Sequence, residues 1–464
     1  MTCSGLVQPA SGMGQDVSPQ CAMPPTSLTV FAPVELHWGF DFFGLLAYIF
    51  VEYTRIAVVY PVLAPLQLGK VSLLMAILGV VACRATASAD GNGRMKFAIA
   101  MLAIVSFISA LAAHYTTVPE GPLWNIPEQL IVVFLIGRAV TSRWRSQGFV
   151  FLLLLLNLKV AQHGLRTYAF EHGRAADEMA FVKFGIIGGG GGFYDNSADL
   201  GVAMCVVFGL AVALLQANTG RRSRLFFLVC AFAFGALILV CGSRGAIVGA
   251  AAIVLASWVK SPKKSWAPVF VLLFVCGLVF LMPHASRDRF QSAEDYKNDE
   301  TANHRVLLWQ AGLKMWADYP VFGVGPANYR YVRQAYYRIA VENSRDRAAF
   351  VCHSLYIEVI SELGTLGTLA ATAIIVCYFL LIRGVRKRLI AEGADRQSWE
   401  FCLCSGLELA MIGYLTSGAF VSVFWYPHIW VLCGIAMGLN TATGGRPVSL
   451  FDPSTQTTQQ PPCT

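Results

Sequence analysis

Apolar residues along this chain come in long blocks, not at the alternating spacing of half-buried strands or surface helices. A membrane-crossing helix needs about 20 mostly apolar residues. Twelve blocks approach that length: 40–60, 68–83, 97–115, 122–140, 149–164, 198–216, 225–241, 245–258, 266–282, 363–382, 401–420 and 423–439. The eighth is short, and the charges around it decide its status. Arg221, Arg222 and Arg224 precede the stretch 225–258, and Lys260, Lys263 and Lys264 follow it. Basic clusters mark the cytoplasmic side, so the stretch goes out and comes back, with Gly242-Ser243-Arg244-Gly245 as its turn. Alternate loops of the twelve-span scheme hold 18 of the 35 Lys and Arg, while the short loops on the other side hold only Lys70 and Arg244. Both termini are then expected on the cytoplasmic side.

Composition agrees with this pattern. The chain has 464 residues, 56% hydrophobic and 13% charged. A soluble domain is about 25% charged, so the composition argues against a string of soluble domains, which would want for surface charge. The net charge of +8 is spread over topology signals, so it does not point to nucleic acid. The expected fold class is an all-α polytopic membrane protein of about twelve transmembrane helices, with a large helical periplasmic loop between spans 9 and 10. Residues 1–38, with five prolines and no Lys or Arg, read as a disordered cytoplasmic tail. Residues 39–440 form the membrane domain, with the loop 283–362 inserted in it. Residues 441–464 are rich in Thr, Gln and Pro and read as a second disordered tail.

Two outer loops are long, about 159–197 and 283–362. The second carries ten Lys or Arg, and Val306, Trp309, Leu313 and Trp316 recur at helical spacing in it. Asn303 suits the cap of that helix, Pro320 and the following glycines its end, and Pro326 the first position of the next helix. From periodicity alone the helix equally fits one lying on the bilayer surface. Gly188–Gly192 makes the other loop flexible; no Gly-Lys-Ser/Thr follows, so it is not a phosphate-binding P-loop. Most of the thirteen cysteines fall inside spans, where they act as small apolar residues. No spacing suits a metal site, and Glu52 with Arg55 reads as a structural pair along the first span, with the lining of a groove as the alternative. Glu128 and Glu408 are charges within spans, which face a partner or a cavity.

His353 lies just before the tenth span. A neutral imidazole there suits a general base; taken alone it better fits a solvated interfacial histidine. Arg244 and Arg305 suit phosphate oxygens, because guanidinium is a planar, permanently charged fork. Taken alone, each also fits an arginine snorkelling to headgroups.

The ordered string Arg305-x-x-x-Trp309, Pro320-x-x-Gly323-x-Gly325-x-x-x-Tyr329 and His353-Ser354-x-Tyr356-x-Glu358-x-x-x-Glu362-x-Gly364-x-x-Gly367 resembles the O-antigen ligase superfamily. Gly242-Ser243-Arg244-Gly245-Ala246 resembles that group's Ser-Arg-Gly turn, and Tyr53-x-Arg55 to Pro61 is a looser likeness. The superfamily comprises O-antigen ligases, related polymerases and protein O-oligosaccharyltransferases. The resemblance implies a metal-independent glycosyltransferase of the bacterial inner membrane with its active site facing the periplasm and no cofactor. Its donor would be a glycan on a polyprenyl diphosphate, its acceptor the hydroxyl of a glycolipid, glycan or protein, and its surroundings membrane lipids. His353 would be the general base, Arg244 and Arg305 would bind the diphosphate, and Glu358, Tyr356 and Trp309 would support them, with Glu358 and Glu362 read as supporting groups or helix caps. A polysaccharide polymerase of the same superfamily is the alternative within this class. A twelve-span transporter is the alternative outside it, and it would place its polar residues near the bilayer midplane.

Overall fold

The computed structural model describes residues 39–82, 91–113, 122–170, 196–260, 300–337 and 351–444. Within them the chain is helical: α1 Phe40–Thr54, α2 Ile56–Val59, a 3-10 turn Pro61–Leu66, α3 Leu68–Ala82, α4 Gly93–Ala112, α5 Pro122–Ala139, α6 Arg143–Phe170, α7 Ser197–Leu214, α8 Arg221–Val240, α9 Arg244–Lys260, α10 Glu300–Asp318, α11 Tyr329–Tyr336, α12 Leu355–Ala391, α13 Trp399–Gly418 and α14 Pro427–Ala442. Eleven of the twelve expected spans coincide with helices; the ninth, 266–282, lies outside the described residues, as does Gly188–Gly192. Seven stretches among the described residues are long and apolar enough by themselves to cross a membrane. The protein is an all-α polytopic membrane protein.

Boundaries differ from the sequence reading in several places. The first span breaks at Arg55, which sits in a left-handed conformation between α1 and α2. Arg55 therefore does not continue one helical face with Glu52, although the two charges still lie near each other. Glu128, near Glu52, accepts a hydrogen bond from Tyr48 at 2.8 Å. Helix α6 runs on to Phe170, so much of the expected loop at 159–197 begins as helix. Asn303 lies inside α10, which starts at Glu300, and is not its cap. Pro326 precedes α11, whose cap position is Asn328.

Helix α7 is the centre of the bundle, buried on nearly all sides. Small residues let its neighbours approach, as is usual where apolar surface offers no driving force between helices. A Cβ at Gly209 of α7 would lie 2.6 Å from the backbone nitrogen of Ala410 in α13. Gly413 of α13 abuts Ile253 of α9, and Gly434 of α14 abuts Ile136 of α5.

One end of the bundle is tied by charge. Glu408 of α13 holds Arg386 of α12 in a two-pronged pair at 2.9 and 2.8 Å, and also meets Lys260 at the end of α9. Arg145 pairs with Asp41 at 2.8 Å. Basic residues read as topology signals thus also clamp helices together, and Glu408 faces partners, not a cavity.

At the other end, α12 begins at Leu355 and breaks at Gly364 (φ 65°, ψ −162°), where the sequence placed the start of the tenth span. The break is filled by the turn after α10. Val324 N–H donates to Ser361 O at 2.9 Å and Gly325 N–H to Glu362 O at 2.9 Å. Thr365 N–H donates to Pro320 O at 2.8 Å and Leu366 N–H to Val321 O at 3.2 Å. Backbone groups freed by the break are thus satisfied. Ser109, near the end of α4, seals the join by donating to Phe322 O at 2.6 Å and sharing Glu362 O at 3.0 Å. Gly364 is required twice over. Its positive φ disfavours a side chain, and a Cβ there would lie 2.5 Å from Val321 O. We expect Gly364→Ala to destabilise the protein by about 2 kcal/mol or more, from backbone strain of about 1–3 kcal/mol plus the clash, read as a lower unfolding temperature in detergent.

Candidate active site

The break in α12 creates a short helix, Leu355–Leu363, before the long span. Leu355 packs on Gly418 at the end of α13, while Glu362 reaches Ser109 at the end of α4. Both ends of the segment therefore rest on helix ends, and it lies across the end of the bundle. His353 stands at its start.

The backbone around His353 is fixed on both sides. Ser354 is the N-cap of α12, its hydroxyl accepting from Ile357 N–H at 3.5 Å. Cys352 is buried: its thiol donates to Ser354 O at 3.2 Å and lies 3.1 Å from Ser422 Oγ. Between them His353 is held at φ 51°, in the left-handed region that is uncommon for residues other than glycine. Such strain persists only where surroundings impose it. The imidazole is partly buried, and burial, then the charges of Arg305 and His304, push its pKa down from 6.5 to about 4. At neutral pH it is uncharged and can accept a proton.

Helix α10 brings the cation. Its buried face is Leu308, Ala311 and Met315, with Gly312 against Ile357 and Ser361 of α12. The expected apolar stripe of Val306, Trp309, Leu313 and Trp316 is not that face: Val306 and Leu313 are exposed. Leu308, Ala311, Gly312 and Met315 have the same helical spacing, so sequence could not choose between two stripes. Arg305, Trp309 and Trp316 instead share one flank beside the buried face, and Trp316 Nε1–H donates to Thr365 Oγ1 at 3.1 Å. His304 turns towards α11, its ring 6.0 Å from that of Tyr337. Arg333 of α11 is only 2% exposed, and its charge, after burial, lowers the pKa of His304.

The turn that carries Arg244 is linked to this region by another route. It opens α9 after Gly242, at φ 71°, and Ser243 Oγ accepts from Ala246 N–H at 3.3 Å. The next residue, Gly245, abuts Phe420, so that a Cβ would lie 3.0 Å from the phenylalanine Cβ. Phe420 belongs to the connector 419–426 between α13 and α14. That connector also meets Cys352 through Ser422, and its Phe424 N–H donates to Glu358 Oε2 at 3.1 Å. Trp425 Nε1–H donates to Glu362 at 3.3 Å, and Tyr426 O–H to Asp199 at 3.1 Å. The charge of Arg305 thus acts on His353, and the Arg244 turn is joined to the His353 turn through one connector.

The remaining candidates divide by role. Glu362 accepts from Ala327 N–H at 2.8 Å and Tyr329 N–H at 3.2 Å, so it caps the start of α11, where a carboxylate is favoured. Glu358 fixes the connector. Tyr356, half-exposed, donates to Leu415 O at 3.0 Å. Sequence reading passed over His304, Arg333, Asp199 and the connector. The only sequence signals were His304 beside Arg305 and the aromatic run Phe424-Trp425-Tyr426 before a proline. Among the described residues, no set of three His, Cys, Asp or Glu side chains is placed to hold a metal ion.

Chemically, the site offers a neutral base under the influence of a cation, which suits proton removal next to an anion. No curated protein matches the chain. The family model described as O-antigen ligase matches residues 226–372, a stretch containing Arg244, Arg305, Trp309, His353, Tyr356, Glu358 and Glu362. Residues 226–372 are thus similar to the O-antigen ligase family, which supports the resemblance to the O-antigen ligase superfamily.

Proposed function

We propose that this protein is an inner-membrane glycosyltransferase that moves a glycan from a polyprenyl-diphosphate carrier to an acceptor hydroxyl on the periplasmic side. The observation that carries this reading is the neutral imidazole of His353, held in a strained turn and under the charge of Arg305, within the matched stretch. The basic clusters at the opposite end of the bundle support the orientation, since they favour the cytoplasm. The location of the polar residues at one end, away from the middle of the bundle, favours an enzyme over a transporter.

In this mechanism the acceptor oxygen attacks the anomeric carbon as His353 takes the hydroxyl proton. The bond from that carbon to the diphosphate oxygen breaks, and the carrier diphosphate leaves with the electron pair. The anomeric centre inverts. Arg305 and Arg244 stabilise the charge growing on the leaving diphosphate, and that interaction strengthens towards the transition state. The glycan gains the acceptor oxygen and loses the phosphate oxygen, so no oxidant or reductant is required.

Deleting the gene and examining surface glycans tests the reading. Loss of the anchored polymer with the lipid-linked polymer retained identifies a ligase; loss of chain length identifies a polymerase. Unchanged surface glycans overturn the proposal. We further expect Arg244→Lys to reduce transfer by about tenfold or more, because an ammonium keeps the charge but not the two-pronged geometry. Transfer measured in membranes at matched protein levels checks this.

A further inference from the structure

The flank of α10 that carries Arg305 has a second polar feature. Three residues lie along it: Arg305, whose charge reaches His353; Trp309, one turn on; and Trp316, bonded to Thr365 past the break in α12. The first and last have evident roles. The indole nitrogen of Trp309 is buried and has no hydrogen-bond acceptor among the described residues. An indole N–H is a donor only, and a buried donor without an acceptor costs free energy. Proteins keep few such groups, and each calls for a reason. Trp430 also has an unpaired indole, but it is fully buried in the core of the bundle, stacked on Trp425. Trp309 differs in sharing a face with Arg305 next to the candidate base.

We propose that Trp309 contacts substrate, its indole N–H donating a hydrogen bond to an oxygen of the bound diphosphate-linked sugar. The inference rests on the functional reading above and adds a contact to it. An indole fits this ligand for two reasons. Its rigid ring offers an apolar face to the C–H face of a sugar, and its N–H supplies one directed donor. The unpaired donor is then complementary to the bound state, held ready at the expense of the free one.

Trp309→Phe tests this, since it keeps a ring and removes only the donor. The variant is placed in cells lacking the chromosomal gene, at matched membrane levels, and glycan transfer is compared with wild type. The purified full-length proteins are compared for thermal unfolding and for binding of inorganic pyrophosphate. We expect transfer to fall about tenfold or more, the effect of losing one hydrogen bond to a charged or polar partner. The unfolding temperature should stay level or rise, because an unsatisfied donor has gone. A purely structural tryptophan does the reverse, and Trp316→Phe, which loses the bond to Thr365, provides that reference: a lower unfolding temperature with transfer per folded molecule retained.

Weaker pyrophosphate binding by Trp309→Phe assigns the oxygen to phosphate; unchanged pyrophosphate binding with reduced transfer assigns it to the sugar. Both support the inference. Full transfer by Trp309→Phe overturns it, and so does a loss of transfer explained by a matching loss of folded protein. A wild-type protein that transfers no glycan removes the functional reading as well, which separates the two failures.

Discussion

Replacing His353 with alanine is expected to abolish glycan transfer while the protein remains inserted in the membrane. A positioned general base contributes about 10²–10⁴-fold, so residual activity should be at or below the assay floor. His353→Asn is the sharper variant. Asparagine tolerates the left-handed backbone that this position imposes, so the turn between Cys352 and Ser354 stays intact while the basic nitrogen is lost. Normal transfer by either variant would remove histidine as the base. The pH dependence gives a second reading of the same residue. Only the neutral imidazole can take the proton, and burial with Arg305 and His304 pushes its pKa down to about 4. The free-enzyme profile, kcat/KM, should therefore stay flat from neutral pH downwards and fall only as pH drops towards about 4. An ordinary histidine would lose activity near its usual value of about 6.5. Arg305→Gln removes one of the cations that lower the pKa, so its acidic limb should move to higher pH even as overall transfer falls. A role for Arg305 confined to holding the fold would not move that limb.

Glu362→Ala is expected to cause the largest loss of stability. The carboxylate is 4% exposed and accepts three N–H groups, from Ala327, Tyr329 and the indole of Trp425. Removing it strands three donors at once, at about 1–3 kcal/mol for each that stays buried, so a loss of about 3 kcal/mol or more should follow. The loss is local in origin. Glu362 ties α11 to α12, and Trp425 ties the connector to both, so limited proteolysis should cut 320–337 first. Glu362→Gln keeps an acceptor and the side-chain shape, and should recover part of the lost stability. An alanine variant with wild-type unfolding and wild-type proteolysis would show that the three contacts carry no weight.

These two residues differ in how far sequence revealed them. His353 stood out because resemblance aligned it with a motif and because it precedes an apolar block. Glu362 was seen too, but only as a cap or support of unspecified target. Its target is α11, whose start lies 33 residues earlier in the chain. Arg244 was legible from its place in a Gly-Ser-Arg-Gly turn between two basic clusters. The connector 419–426 was read as the ends of two spans, because aromatic residues at a membrane interface are ordinary. Its part in joining the Arg244 and His353 turns through Phe420 and Ser422 exists only in three dimensions.

The sequence by itself determined the membrane class, the positions of most helices and the order of the motif residues. Those properties depend on local composition: an apolar block of sufficient length must leave water wherever it lies in the chain. Tertiary structure alone decided which face of α10 is buried, where α12 breaks, and which side chains meet His353. Two stripes of α10 have the same period, so only packing against Ile357 and Ser361 selects between them. The break at Gly364 is stable because the turn 320–325 supplies backbone partners from some 40 residues away. A glycine marks where a helix can break; the partner that satisfies its freed N–H and C=O groups determines that it does.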